Sequence, residues 1–137
     1  MPDSDRAQRG VIDTSVVTGL EQLDPLQLPI ELAVSAITMA ELAAGPHATG
    51  DVDERARRQD RLQRAEAAFD PLPFDGEAAR AYGRIYAAEF ASGRRARGAR
   101  AVDLLIAATA CARDLPLYTR NSEDFQSLRG LVEVVAV

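Results

Sequence analysis

The chain has 137 residues, of which 47% are hydrophobic and 27% charged, which is enough apolar material for one compact domain and too much for a disordered chain. The formal net charge of −5 disfavours a polyanion on average, but all 16 basic residues are arginine and they fall in clusters, so the average misleads. The lone Cys111 excludes an internal disulfide, and no apolar run approaches the length of a membrane span. The polar start, MPDSDRAQRG, lacks the apolar stretch of a signal peptide, so the expectation is a cytoplasmic protein away from membranes.

In chain order, residues 9–13 read as a short strand ending at Asp13, with Thr14 and Ser15 capping a helix that runs to about Leu23. Glu31 to Ala36 reads as a second strand, and Thr38 as the cap of a helix that carries Glu41 and stops at Gly45-Pro46. Asp51 to Asp70 is strongly helical, with Leu62, Ala65 and Phe69 on one face and charges on the other. Pro71 to Phe74 reads as a brief strand, and Asp75 opens a helix over Gly76 to about Ser92. A basic loop, Gly93 to Gly98, leads into an alanine-rich helix from Arg100 to Arg113 with Asp103 in its first turn and Cys111 as a small buried residue. Leu117 to Thr119 is a strand, SEDFQSL a turn or short helix, and Leu131 to Ala136 a final strand. Short apolar strands alternating with helices indicate an α/β domain over residues 1–137, with a mainly parallel sheet covered by helices on both faces.

Four acids stand where apolar runs stop: Asp13 in VIDTS, Glu41 in SAITMAEL, Asp103 in AVDLLIAATA and Asp124 in YTRNSEDF. Functional groups in parallel sheets gather at the carboxyl ends of strands. Asp13 ends a strand there, and the helices bearing Glu41 and Asp103 are expected to lean over the same edge. Each acid has a plainer reading as well. Asp13 is a good helix cap, Glu41 a surface glutamate, Asp103 a complement to the helix dipole, and Asp124 a cap of the turn before Phe125. An acid closing a buried strand is costly unless paired or metal-bound. Clustered carboxylates in a chain without lysine suit a hard divalent cation such as Mg²⁺. That pattern points to a metal-dependent phosphodiesterase, and a ribonuclease first of all.

The arginines support a polyanionic substrate. ERARRQDRLQR spans Glu54 to Arg64, where pairs such as Glu54 with Arg58 also fit an ordinary solvated helix face. GRRARGAR, Gly93 to Arg100, runs directly into Asp103, which makes Arg94, Arg95, Arg97 and Arg100 the candidate RNA contacts. Arg120 is a further candidate for offsetting charge on a reacting phosphate. His47 is the only histidine and sits after a helix-ending Gly-Pro, so a two-histidine acid–base mechanism is excluded.

VIDTS, SAITMAEL followed by glycine, VDLLIAATA and LYTRNSEDF, in that order and over nearly the whole chain, resemble the PIN domain, and specifically the VapC toxins of toxin–antitoxin pairs. The resemblance implies an α/β/α fold and an Mg²⁺- or Mn²⁺-dependent endoribonuclease cutting structured RNA such as transfer or ribosomal RNA. It makes Asp13, Glu41 and Asp103 the main metal-site acids. Many relatives have aspartate directly after the Thr-Arg pair, where this chain has Asn121; its amide can ligate or hold a water but adds no charge. Asp124, three residues on, is the substitute. Thr14, Ser15 and Thr119 are placed to orient carboxylates from behind. A metal lowers the pKa of bound water, so hydrolysis needs no 2′-hydroxyl, and preference for RNA must come from shape.

The resemblance also implies a VapB-like antitoxin whose tail blocks the site, and a homodimer or toxin–antitoxin hetero-oligomer. Surfaces around Val16, Val17 and Leu20, with the 51–69 helix, are the expected antitoxin groove, unless those residues simply pack the core. A receiver domain and a haloacid dehalogenase-like phosphatase also place acids at strand ends. The first needs a lysine this chain lacks, and the second a DxD where DTS stands. The remaining alternative is a non-catalytic PIN-like module that binds RNA or protein.

Overall fold

The structure, a computed structural model, describes residues 6–137. The start of the polar segment, Met1 to Asp5, lies outside the described residues. Four strands form one sheet: β1 (Arg9–Ile12), β2 (Glu31–Ala33), β3 (Leu117–Thr119) and β4 (Val134–Ala136), in the order β2-β1-β3-β4. Every pairing is parallel, with Val11 opposite both Ala33 and Leu117, and Tyr118 opposite Val135. Five helices cover it: α1 (Thr14–Thr18), α2 (Ala36–Ala44), α3 (Val52–Ala68), α4 (Gly76–Ala91) and α5 (Ala99–Ala112).

Strand side chains alternate between faces, so neighbours along a strand feed different cores. Val11 and Leu117 join one core with Ile85, Leu104, Ile106 and Phe125 from α4, α5 and the 3-10 helix Ser122–Leu128. Ile12 and Tyr118 join the other, with Val16, Leu42 and Ala65 from α1, α2 and α3. The sheet is thus covered on both faces, as the alternating pattern requires. Gly10 is demanded by packing, because a Cβ there would lie 2.6 Å from the Tyr118 ring.

Several boundaries differ from the sequence expectation. The first helix ends at Thr18 and continues only as separate 3-10 turns, Leu20–Gln22 and Pro25–Gln27, because Gly19 intervenes. Asp13 rather than Thr14 or Ser15 is the N-cap of α1, its side chain accepting from the Val16 N–H. Ser35 rather than Thr38 caps α2, so Thr38 lies inside the first turn with its hydroxyl free to face α1. The second strand stops at Ala33, and Pro71–Phe74 contributes only one bridge, Ser35 with Leu72, since prolines on both sides of Leu72 cannot donate to a ladder. The last strand begins at Val134, after the turn at Gly130 with φ +94°. Asp103 falls in the second turn of α5, which starts at Ala99, so it does not complement the helix dipole. Cys111 is half-buried and His47 exposed. No described helix is long and apolar enough to cross a membrane.

Candidate active site at the sheet switch point

The chain leaves β1 toward β2 on one side and returns to β3 on the other, which opens a crevice at the carboxyl ends of β1 and β3. Asp13 follows the last residue of β1 and is 4% exposed. Its N–H donates to the Tyr118 carbonyl at 3.1 Å, which ties it to β3. Its Oδ1 accepts from Ser15 Oγ at 2.6 Å and from the Val16 N–H at 3.1 Å. Both bonds fall on Oδ1, which leaves Oδ2 available to a ligand. Ser15 Oγ also accepts the Arg120 N–H at 3.1 Å, so one hydroxyl joins the ends of β1 and β3.

Glu41 reaches the same edge from α2. Thr14 Oγ1 donates to Glu41 Oε1, and the Thr14 and Thr38 hydroxyls lie 3.1 Å apart. Asp103 arrives from α5, half-buried. Burial first, then the charges of Asp13 and Glu41, push its pKa up to about 6, with Asp124 adding and Arg100 opposing. The charges of three acids from distant parts of the chain, Asp13, Glu41 and Asp124, therefore act on Asp103.

The supporting residues separate clearly. Thr119 does not orient a carboxylate; its hydroxyl accepts the Asn121 N–H at 3.1 Å and shapes the turn instead. Asn121 is exposed and caps nothing with its side chain. Asp124 is half-buried, with Arg94 Nη2 at 3.9 Å from its carboxylate and Arg94 Nη1 donating to its carbonyl at 2.8 Å. Arg95, Arg97 and Arg120 are exposed. Arg120 lies over Gly19, where any Cβ would force it away. In the first arginine cluster, Glu54 pairs with Arg57 and Arg58, and Arg64 with Glu21 and Asp60, so that cluster is largely self-neutralised.

Arg100 is not a free RNA contact. Its guanidinium forks onto Glu89, with Nη2 at 2.7 Å from Oε1, and lies 5.5 Å from the Phe125 ring centroid. Glu89 is 1% exposed and accepts a further bond from Ser127 Oγ at 2.6 Å. The Arg100 guanidinium, helped by the Ser127 hydroxyl, holds the Glu89 carboxyl below the ordinary range. This network locks α4, the start of α5 and the 3-10 helix together, which fixes the two elements that carry Asp103 and Asp124. Sequence reasoning missed Glu89. Its signal was present: an acid interrupts the buried stripe Ala78, Ala81, Ile85.

Among the described residues, no three His, Cys, Asp or Glu side chains form a ready-made metal cage. Mg²⁺ does not require one, since it keeps several waters and binds through one or two carboxylates. The donor set fits such an ion: oxygen ligands only, and negative charge that the neighbouring arginine leaves uncompensated at Asp103.

The PIN-domain family model matches residues 11–131. The chain is 40% identical to Ribonuclease VapC5 of Mycobacterium tuberculosis, over 93% of this chain and 95% of that protein. It is 30% identical to Ribonuclease VapC1 of Rickettsia felis, over 93% and 95% respectively. Among solved structures, VapBC-5 of Mycobacterium tuberculosis, a member of the VapBC family of toxin–antitoxin systems, matches with a TM-score of 0.82 and 39% identity, covering 95% of this chain and 99% of that one. Fold, acid edge and these likenesses together place the chain in the PIN-domain family, among the VapC ribonucleases.

Proposed function

We propose that the chain is the toxin of a toxin–antitoxin pair, a metal-dependent endoribonuclease that hydrolyses RNA phosphodiester bonds, with structured transfer or ribosomal RNA as the substrate class. The observation that carries the catalytic part is the charge at Asp103, whose pKa of about 6 reflects burial beside Asp13 and Glu41. Repulsion of this kind is tolerated where a cation is due to arrive. Asp13, Glu41 and Asp103 hold Mg²⁺ or Mn²⁺, with Asn121 or Asp124 at the margin. When bound, the ion lowers the pKa of a water and offsets charge on the phosphate.

The chain's own residues do the positioning. Ser15 fixes the rotation of Asp13, and Thr14 that of Glu41. Arg100, held by Glu89, stands one turn before Asp103 and limits how far its proton affinity rises. Arg120 and Arg94 supply positive charge at the rim, where an RNA backbone approaches.

A VapB-like antitoxin is the proposed partner. A cleft of about 380 Å³ opens between the end of α1 and α3, lined by Val17, Leu20, Ala65 and Phe69 among others. Val16 belongs to the core and takes no part in it. Apolar walls with a rim of mixed charge, Arg57, Arg61 and Arg64 beside Glu21 and Asp60, suit an amphipathic segment. The functional test is cleavage of a total RNA pool by the antitoxin-free chain in Mg²⁺, Mn²⁺ or EDTA, with Asp13→Ala as the contamination control. Discrete, metal-dependent cuts absent from the variant are expected. Absence of cuts from folded protein under every metal would favour a non-catalytic binding module, which the uncharged Asn121 suits.

A further inference from the structure

Five large hydrophobic side chains are well exposed among the described residues, and only two are aromatic: Tyr86 at 47% and Phe90 at 60%. Both lie on one stripe of α4, one turn apart, with the Tyr82 ring 6.2 Å from that of Tyr86. A single exposed hydrophobe needs no explanation. An aromatic stripe that ends against an arginine is a different matter. The Arg95 guanidinium sits 5.7 Å from the Phe90 ring centroid. Arg94 and Arg97 are also exposed.

The stripe is not remote from the acids. Glu89, the neighbour of Phe90, turns inward to the network that carries α5 and the 3-10 helix. Arg94 donates to the carbonyl of Asp124. Phe90 thus follows a residue of that network directly in the chain, with its ring exposed and the Arg95 guanidinium beside it. Exposed aromatic faces beside arginines are how proteins hold unpaired bases without reading their sequence.

We propose that Phe90, with Arg95 beside its ring, is a stacking platform for an unpaired RNA base, and that Arg94 and Arg97 take the flanking phosphates. This rests on the ribonuclease reading above and adds to it a positioning residue outside the acid cluster. The platform selects for a looped or single-stranded nucleotide in the bound RNA. A fully paired helix has no base free to stack there.

The chain contains no tryptophan, so Phe90→Trp installs a single emitter at the platform that keeps an aromatic face. The probe is a short single-stranded RNA oligonucleotide in EDTA, followed by tryptophan emission and, separately, by anisotropy of a label on the RNA. An abasic sugar-phosphate chain of equal length is the control. The RNA is expected to quench Phe90→Trp saturably, and Phe90→Leu to weaken RNA binding on the order of tenfold. The abasic chain should neither quench nor distinguish Phe90→Leu from wild type. If RNA binds with emission unchanged and Phe90→Leu binds as wild type does, the platform is refuted while the ribonuclease reading stands. If the wild type neither binds nor cuts RNA, both fall. Emission that depends on protein concentration alone, with a smaller sedimenting species for Phe90→Leu, would give this face to a second copy of the chain and overturn the proposal.

Discussion

Replacing Asp103 by asparagine should stabilise the metal-free protein while abolishing its activity. A carboxyl whose pKa is lifted from 3.8 to about 6 carries about 3 kcal/mol of penalty on its ionised form. Asp103 is half-exposed, and solvent screening reduces this to about 1 kcal/mol. The sign follows from proton uptake. Between pH 3.8 and about 6 the folded state holds this proton more tightly than the unfolded chain does, so stability falls as pH rises through that window. Above it the full penalty remains. Asp103→Asn removes the charge at nearly constant shape, so in EDTA at pH 8 its Tm should exceed that of wild type by about 3 °C. The gain should shrink to nothing near pH 4, where wild-type Asp103 is itself largely protonated. Mg²⁺ at tenfold its Kd should return about 1.4 kcal/mol to wild type and far less to the variant. Differential scanning fluorimetry across pH, with and without Mg²⁺, reads all of this. A variant that is less stable at every pH, or equally shifted at pH 4 and pH 8, would refute the reasoning.

Other perturbations separate support from chemistry. Glu89→Ala leaves Arg100 buried without its partner and should cost about 3 kcal/mol in urea unfolding. Because the Glu89 pKa is depressed, the stabilisation from this pair is present above the ordinary value of 4.5 and lost as pH falls below it, which an acid titration of wild type followed by circular dichroism will detect. Ser15→Ala removes the donor to Asp13 and the acceptor for Arg120, and should lower the cleavage rate roughly tenfold or more, as an orienting partner does, with little change in Tm. Gly10→Ala drives a methyl into the Tyr118 ring and should cost about 2 kcal/mol without touching the acids, so its remaining folded fraction should cleave normally.

The candidate site was proposed from the sequence because each main acid interrupts an apolar run: Asp13 after Val11-Ile12, Glu41 within ITMAEL, Asp103 before LLIAATA. The strand cores were legible for the same reason, as continuous apolar runs of a sheet covered on both faces. Capping was harder to read. Asp, Thr and Ser stand in a row at 13–15, and only the fold shows that Asp13 caps while Ser15 reaches to Arg120. Arg100 was misread as an RNA contact because its partner Glu89 lies 11 residues away on another helix, a pairing that no local pattern encodes. Thr119 looked like a carboxylate partner from its place beside the acids, but the bond its hydroxyl makes is to the backbone two residues on, where it accepts the Asn121 N–H. Phe90 carried no local signal. Its meaning comes from exposure beside arginines, which is a property of the folded surface.

The central claim is that these acids form a metal-dependent RNA-cutting centre. Its most direct test is the cleavage rate of one mapped RNA site, measured as Mg²⁺ is titrated into the antitoxin-free wild type and into Asp103→Asn. The account predicts a saturable rise for wild type, none in EDTA, and a loss of roughly a thousandfold or more for the better-folded variant, the scale at which removal of a main charge-stabilising group is felt. Equal rates for the two proteins, or cleavage by wild type that ignores Mg²⁺ and EDTA alike, would contradict it.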